Sequence, residues 1–171
     1  MNNTLVLGGI RSGKTALAER LAADSGQAVV YVATASAGDA EMSARIAQHR
    51  AERPEAWGLS ETPITLSRTI GEQAGLVEPP CLLIDCMSLW LSNLMFAGDE
   101  VFRAERAGFL EALQDYPSNI IIVSNEVGLG TIGMEPLTRR FCDELGWLNQ
   151  ALASQCDHVL MSIAGLPLKL K

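Results

Sequence analysis

Apolar runs and helix-periodic stretches alternate along the whole chain. TLVLG (4–8), AVVYVAT (28–34), CLLIDC (81–86), IIIVSNEV (120–127) and HVLMSI (158–163) are short and almost continuously apolar. That is the pattern of strands buried on both faces. Between them, residues 14–23, 40–53, 67–75, 88–96, 100–115 and 136–155 carry helical periodicity. Strand–helix alternation predicts an α/β fold with a mostly parallel central sheet and helices on both faces. GLSETPITL (58–66) adds a short edge strand, where Pro63 is tolerable. GLVEPP (75–80) reads as the loop entering a central strand, and no repeat, low-complexity tract or linker divides the chain. Residues 1–171 therefore read as one domain.

Composition changes this picture only at its edges. A formal net charge of −7 argues against a nonspecific nucleic-acid binder, while local basic clusters remain able to hold one phosphorylated ligand. The longest apolar runs are strand-length, so no membrane span is expected. MNNTLVLGGI lacks a basic leader region, which makes the cytoplasm the expected compartment. Cys81, Cys86, Cys142 and Cys156 show no metal-binding spacing and read as free, buried thiols. His158, at the start of a strand, reads as structural.

The candidate chemistry begins at the end of the first strand. GGIRSGKT (8–15) fits G-x-x-x-x-G-K-[ST] through Gly8, Gly13, Lys14 and Thr15, between a strand and a helix. Glycines let backbone N–H groups converge on phosphate oxygens, and the helix N-terminus adds partial positive charge. Lys14 reaches the β- and γ-phosphates, and the Thr15 hydroxyl ligates Mg²⁺. An acidic partner to the loop is expected at the end of an apolar strand, and CLLID ends in Asp85. Asp85 also suits a helix cap, a role that Ser88 fills equally well.

Such a loop specifies nucleotide binding and leaves the reaction open. A regulatory GTPase should carry N-K-x-D, and the nearest string is SNEV (124–127). A small-molecule kinase without nucleotidyl transfer would need only the loop, magnesium and an arginine lid, for which Arg139 and Arg140 are candidates on what is otherwise a solvated helix face. A nucleotidyltransferase would need a nucleophile. Met42, Ile46 and His49 fall on one stripe of the helix at 40–53, with Arg45 and Arg53 one turn to either side of His49. Periodicity alone suits a histidine at the margin of the core. Its company suits a neutral imidazole aimed at a phosphoryl centre, because nearby guanidinium charges disfavour the imidazolium form.

The motifs together resemble the bifunctional adenosylcobinamide kinase/adenosylcobinamide-phosphate guanylyltransferase family of cobalamin biosynthesis. The resemblance is carried by LGGIRSGKT (7–15), YVATA (31–35), EMSARIAQHRAERP-x-x-W (41–57) and LLIDCMSLWLSNLMF (82–96). It continues through IIVSNEVGLG (121–130), LTRRFCDELGWLNQALA (137–153) and AGLPLKLK (164–171). It implies a RecA-like P-loop NTPase fold and a phosphate site formed by Gly8, Gly9, Ile10, Arg11, Ser12, Gly13, Lys14 and Thr15. His49 matches the histidine that takes GMP from GTP. Ala33, Thr34, Ala35, Arg50, Ala51, Glu52, Arg53, Glu61 and Asp85 match positions that contact the guanine nucleotide. The implied substrates are GTP, ATP, adenosylcobinamide and its phosphate, with Mg²⁺, in a homo-oligomer of trimeric type. Trp57, Trp90 and Trp147 are candidates for subunit contacts or for the core, and Gly38 for a hinge or an ordinary turn. Two departures stand out: Cys142 replaces a common arginine, and TIGMEP (131–136) differs from the usual run after NEVGxG.

Overall fold

A computed structural model describes residues 2–36 and 54–171. It forms a seven-stranded sheet among these residues, in the order β3-β2-β4-β5-β1-β6-β7. The strands are β1 (Asn3–Gly8), β2 (Val29–Ala33), β3 (Gly58–Glu61), β4 (Cys81–Asp85), β5 (Ile120–Asn125), β6 (His158–Ile163) and β7 (Leu166–Lys169). Every neighbouring pair is parallel except β6 with β7. The described helices are α1 (Lys14–Ala23), α2 (Leu66–Ala74), α3 (Met87–Ala97), α4 (Asp99–Asp115) and α5 (Pro136–Gln155). The five expected strands and the helices at 14–23, 67–75, 88–96, 100–115 and 136–155 all form, within two residues at each end. The helix expected at 40–53 lies outside the described residues.

Alternate residues of each central strand feed two separate cores, as the two-residue side-chain period requires. Leu5, Leu7, Leu82, Ile84, Ile120 and Ile122 face α2, α3, α4 and α5. Val6, Leu83, Ile121 and Val123 face α1. Chain direction explains this division. The connection from β1 to β2 crosses the sheet one way, whereas β3→β4, β4→β5 and β5→β6 run the other way. Right-handed crossovers in opposite directions must lie on opposite faces, so α1 is separated from the other four. The same reversal opens a crevice at the carboxyl ends of the strands beside β1.

Three features differ from the expected pattern. β3 forms as expected at the far edge, but it ends at Glu61 and leaves Pro63 outside the ladder. β6 is not buried on both faces: Leu160 and Met161 are half-buried and Ile163 is exposed, because only the exposed edge strand β7 lies beyond it. β7 is itself an addition. It returns from β6 through Ala164 and Gly165, both at positive φ (51° and 79°), as a two-residue hairpin turn with right-handed twist requires. Pro167 and Lys169 blunt this outer edge.

Cys81, Cys86 and Cys156 are buried free thiols, and Cys142 is half-buried. Trp90 lies wholly in the core, Trp57 is partly buried, and Trp147 is 55% exposed. The Trp90 indole meets Phe109 edge to face at 5.0 Å and donates to the Ile64 carbonyl at 2.6 Å, tying α3 to α4 and to the loop before α2. Trp90→Ala removes the ring and leaves that carbonyl unpaired. It should lower unfolding free energy by about 3–5 kcal/mol in equilibrium urea titration. A loss under 1 kcal/mol would show that this contact is not central to the helical layer.

Candidate active site

The loop from Gly8 to Thr15 is shaped by two close approaches. A Cβ on Gly8 would stand 2.3 Å from the Ser12 hydroxyl and 2.9 Å from the Ser162 carbonyl, so only glycine fits. Gly13 has φ +88°, and a Cβ there would also lie 3.0 Å from the Gly165 Cα. Gly13 is the N-cap of α1 and supplies no side-chain cap. The first helical amides, from Lys14 onward, therefore have no partner within their own helix and point out of its positive end. Ile10 and Arg11 are exposed at the tip, while Ser12 is buried against Gly8. The Lys14 ammonium lies across the loop, donating to the Gly9 carbonyl at 3.1 Å. Amides, helix end and ammonium together make an anion site.

Asp85 stands where the sequence placed it, at the carboxyl end of β4. Its Oδ2 accepts from the Thr15 hydroxyl at 3.1 Å and from the Tyr31 hydroxyl at 3.0 Å. Thr15 and Asp85, 70 residues apart, thus bring two oxygen donors to one point beside the loop. This set suits Mg²⁺, a hard ion that takes one or two protein oxygens and completes its shell with phosphate and water. No cluster of three or more His, Cys, Asp or Glu able to hold a metal occurs among the described residues. Tyr31 was not singled out from sequence, since it sits inside an apolar strand and looks like core.

The remaining candidates divide. Ala33 pairs in register with both Asp85 and Glu61, which puts Glu61 two strands from Asp85, about 10 Å away by strand spacing. Ala35 is half-buried just beyond. Thr34 is fully buried, and its polar groups are engaged. Its hydroxyl donates to the Cys86 carbonyl and accepts the Cys86 N–H, both at 2.8 Å. Its own N–H donates to the Asp85 carbonyl at 3.1 Å, and its carbonyl accepts from Asn93 at 2.8 Å. Thr34 is a strut for the Asp85–Cys86 corner. Ser88, the alternative cap, contacts the Cys86 sulfur at 3.1 Å and makes no cap bond. Burial first, and then the Asp85 carboxylate, push the Cys86 thiol up, so it stays protonated and is no competing nucleophile. Arg140 pairs with Asp99, and Arg139 donates to the Met134 carbonyl, so the partners of both possible lid arginines lie outside the loop. His49, Arg50, Ala51, Glu52 and Arg53 lie outside the described residues, as does Gly38.

On the β5 side of the loop, Asn125 pairs with Gly8 and borders a cavity of about 360 Å³ between α3 and α5. Its walls include Leu89, Met95, Phe96, Leu137 and Phe141. The phosphate site therefore opens beside a mostly apolar hollow.

Residues 4–170 match the family described as cobinamide kinase / cobinamide phosphate guanyltransferase. The chain belongs to that family. As a member it is a transferase with both activities, the bifunctional class its motifs resembled. It is 52% identical over 168 residues to the bifunctional adenosylcobalamin biosynthesis protein CobP of Pseudomonas aeruginosa, covering 98% of this chain and 96% of that one. It is 35% identical over 181 residues to the Escherichia coli bifunctional adenosylcobalamin biosynthesis protein CobU, with 98% of each covered. Among solved structures it resembles the RadB recombinase, with TM-score 0.51 and 21% identity over 94% of this chain and 73% of that one. It also resembles the type III secretion ATPase EscN of enteropathogenic E. coli, with TM-score 0.58 and 12% identity over 98% and 47%. At such identities the likeness is one of fold alone, and the fold is the RecA-like P-loop type expected.

Thr34→Val keeps volume and deletes the hydroxyl that serves both sides of Cys86. It should cost about 1–3 kcal/mol of unfolding free energy by urea titration. Unchanged stability together with lost nucleotide affinity would make Thr34 a ligand contact instead.

Proposed function

We propose that this protein carries out two successive transfers in adenosylcobalamin biosynthesis, using one phosphate cradle. The carrying observation is the convergence of Lys14, Thr15 and Asp85 at the loop, in a chain whose family pairs a kinase with a guanyltransferase. In the first transfer, the hydroxyl of the aminopropanol arm of adenosylcobinamide attacks the γ-phosphorus of ATP or GTP. The bond to the β-bridging oxygen breaks, the hydroxyl proton is lost, and the nucleoside diphosphate leaves. The hollow beside Asn125 suits the approach of that arm, since it adjoins the loop and has apolar walls.

In the second transfer, a ring nitrogen of His49 attacks the α-phosphorus of GTP and pyrophosphate leaves. An oxygen of the corrinoid phosphate then attacks the histidyl phosphorus, giving adenosylcobinamide-GDP and restoring the imidazole. The reading of His49 rests on sequence: helical spacing would put it on one face with Arg45 and Arg53, guanidinium groups suited to phosphate. Arg50 through Arg53, Ala33 through Ala35 and Glu61 are assigned to the guanine nucleotide on the family resemblance. Mg²⁺, held by Thr15 and Asp85, would offset charge on the phosphates. Lys14 and the loop amides do the same from the chain itself, in both transfers. The resemblance further supports a homo-oligomer of trimeric type. No described helix is long and apolar enough to cross a membrane.

The test uses GTP labelled on either the α- or the γ-phosphate, incubated with protein and Mg²⁺ without corrinoid and then denatured. Only the α-label should stay on the protein, in a bond lost in mild acid and kept in alkali, as for a phosphoramidate. His49→Ala should bind GTP yet carry no label. Lys14→Ala should lose phosphoryl transfer to adenosylcobinamide by at least about a hundredfold. Wild-type protein without α-label would leave a small-molecule kinase that performs no nucleotidyl transfer.

A further inference from the structure

The β6–β7 hairpin hydrogen-bonds the loop at the Ser12–Gly13 peptide. The Ser12 carbonyl accepts two hydrogen bonds from it: from the Ser162 hydroxyl at 2.7 Å and from the Gly165 N–H at 2.8 Å. Ser162 is 1% exposed and lies in register with Gly8, so it stands directly behind the start of the loop. Gly165 approaches so closely that a Cβ on Gly13 would lie 3.0 Å from its Cα. A trans peptide points its C=O and N–H in opposite directions. Holding the Ser12 carbonyl toward the hairpin therefore turns the Gly13 N–H away from it, toward the concave side of the loop. The far end of the hairpin is held as well. Lys171 donates to the carbonyls of Ala153, Ser154 and Cys156, at and just beyond the end of α5, at 3.1, 3.3 and 2.6 Å. A cation on those carbonyls also meets the negative end of the helix.

We infer that Ser162 is a positioning residue for the phosphate loop: with the Gly165 amide, it sets the orientation of the Ser12–Gly13 peptide and so presents the Gly13 N–H to the β- and γ-phosphates. The hairpin is thus part of the nucleotide site although it contributes no side chain to the ligand. This rests on reading the loop as the triphosphate cradle, and the experiment separates the two ideas.

Mg²⁺-GTP, Mg²⁺-GDP and GMP are titrated calorimetrically into wild type, Ser162→Ala, Ser162→Thr and Lys14→Ala, with thermal melts of each. Ser162→Ala should raise the Kd for GTP and GDP about tenfold, the scale of one well-placed hydrogen bond, and leave GMP within about twofold. Ser162→Thr keeps the hydroxyl and should restore tight GTP binding. If Ser162→Ala does not fold, Ser162→Cys, near in volume but a weak donor, should show the same split between GTP and GMP. GTP affinity unchanged in Ser162→Ala, or equal weakening of all three nucleotides, overturns the inference. Equal GTP affinity in wild type and Lys14→Ala would instead show that the loop is not the cradle.

Discussion

Backbone amides can gather around a phosphate only if the carbonyls of the same peptides are satisfied elsewhere. This constraint governs the site. A peptide presents its N–H and C=O in opposite directions, so each amide turned inward requires an acceptor turned outward into the protein. Here the outward carbonyl of Ser12 is met by Ser162 and Gly165, and that of Gly8 by the Glu126 N–H at 3.1 Å. The strands on either side of β1 thus support the loop from behind. Gly8 and Gly13 are small because these supports come so close. The sheet order follows the same need, since β1 must be central for both flanks to be supported.

The fold was legible wherever burial is two-sided. Central strands are almost continuously apolar because each face meets helices, and such runs stand out in a chain otherwise broken by charge. β7 could not be read this way. LPLK is short, exposed and interrupted by proline, and its Ala-Gly turn lacks the Asn-Gly or Asp-Gly signal of a tight hairpin. The partial exposure of β6 escaped for a related reason: HVLMSI is apolar along its length, although only a thin edge strand lies beyond it.

The site divides along similar lines. The convergence of Lys14, Thr15 and Asp85 was readable because their residue types stand at a recognisable spacing. Tyr31 and Ser162 were not, because a tyrosine or a serine within an apolar run looks like packing until its partner is known. Those partners, Asp85 and Ser12, lie 54 and 150 residues away. Thr34 carries a structural task that its sequence does not show. It follows a strand at the ligand edge and matches a nucleotide-contacting position, yet its groups serve the Asp85–Cys86 corner. Long-range hydrogen bonding reveals that task, and no local pattern reports it.

An acidic chain of a family that pairs a kinase with a guanyltransferase must concentrate its positive potential locally. The loop amides, the end of α1 and Lys14 do so at one point, which a desolvated site strengthens. The central claim is therefore that one cradle serves both transfers. It is tested most directly by titrating inorganic tripolyphosphate against two assays of the same protein: phosphoryl transfer to adenosylcobinamide, and formation of acid-labile guanylylated protein from GTP. One cradle predicts inhibition constants that agree within about twofold once each is corrected for nucleotide competition, and a shared loss of inhibition in Lys14→Ala. Inhibition of one reaction at concentrations that leave the other untouched would mean two separate phosphate sites, and would contradict the account.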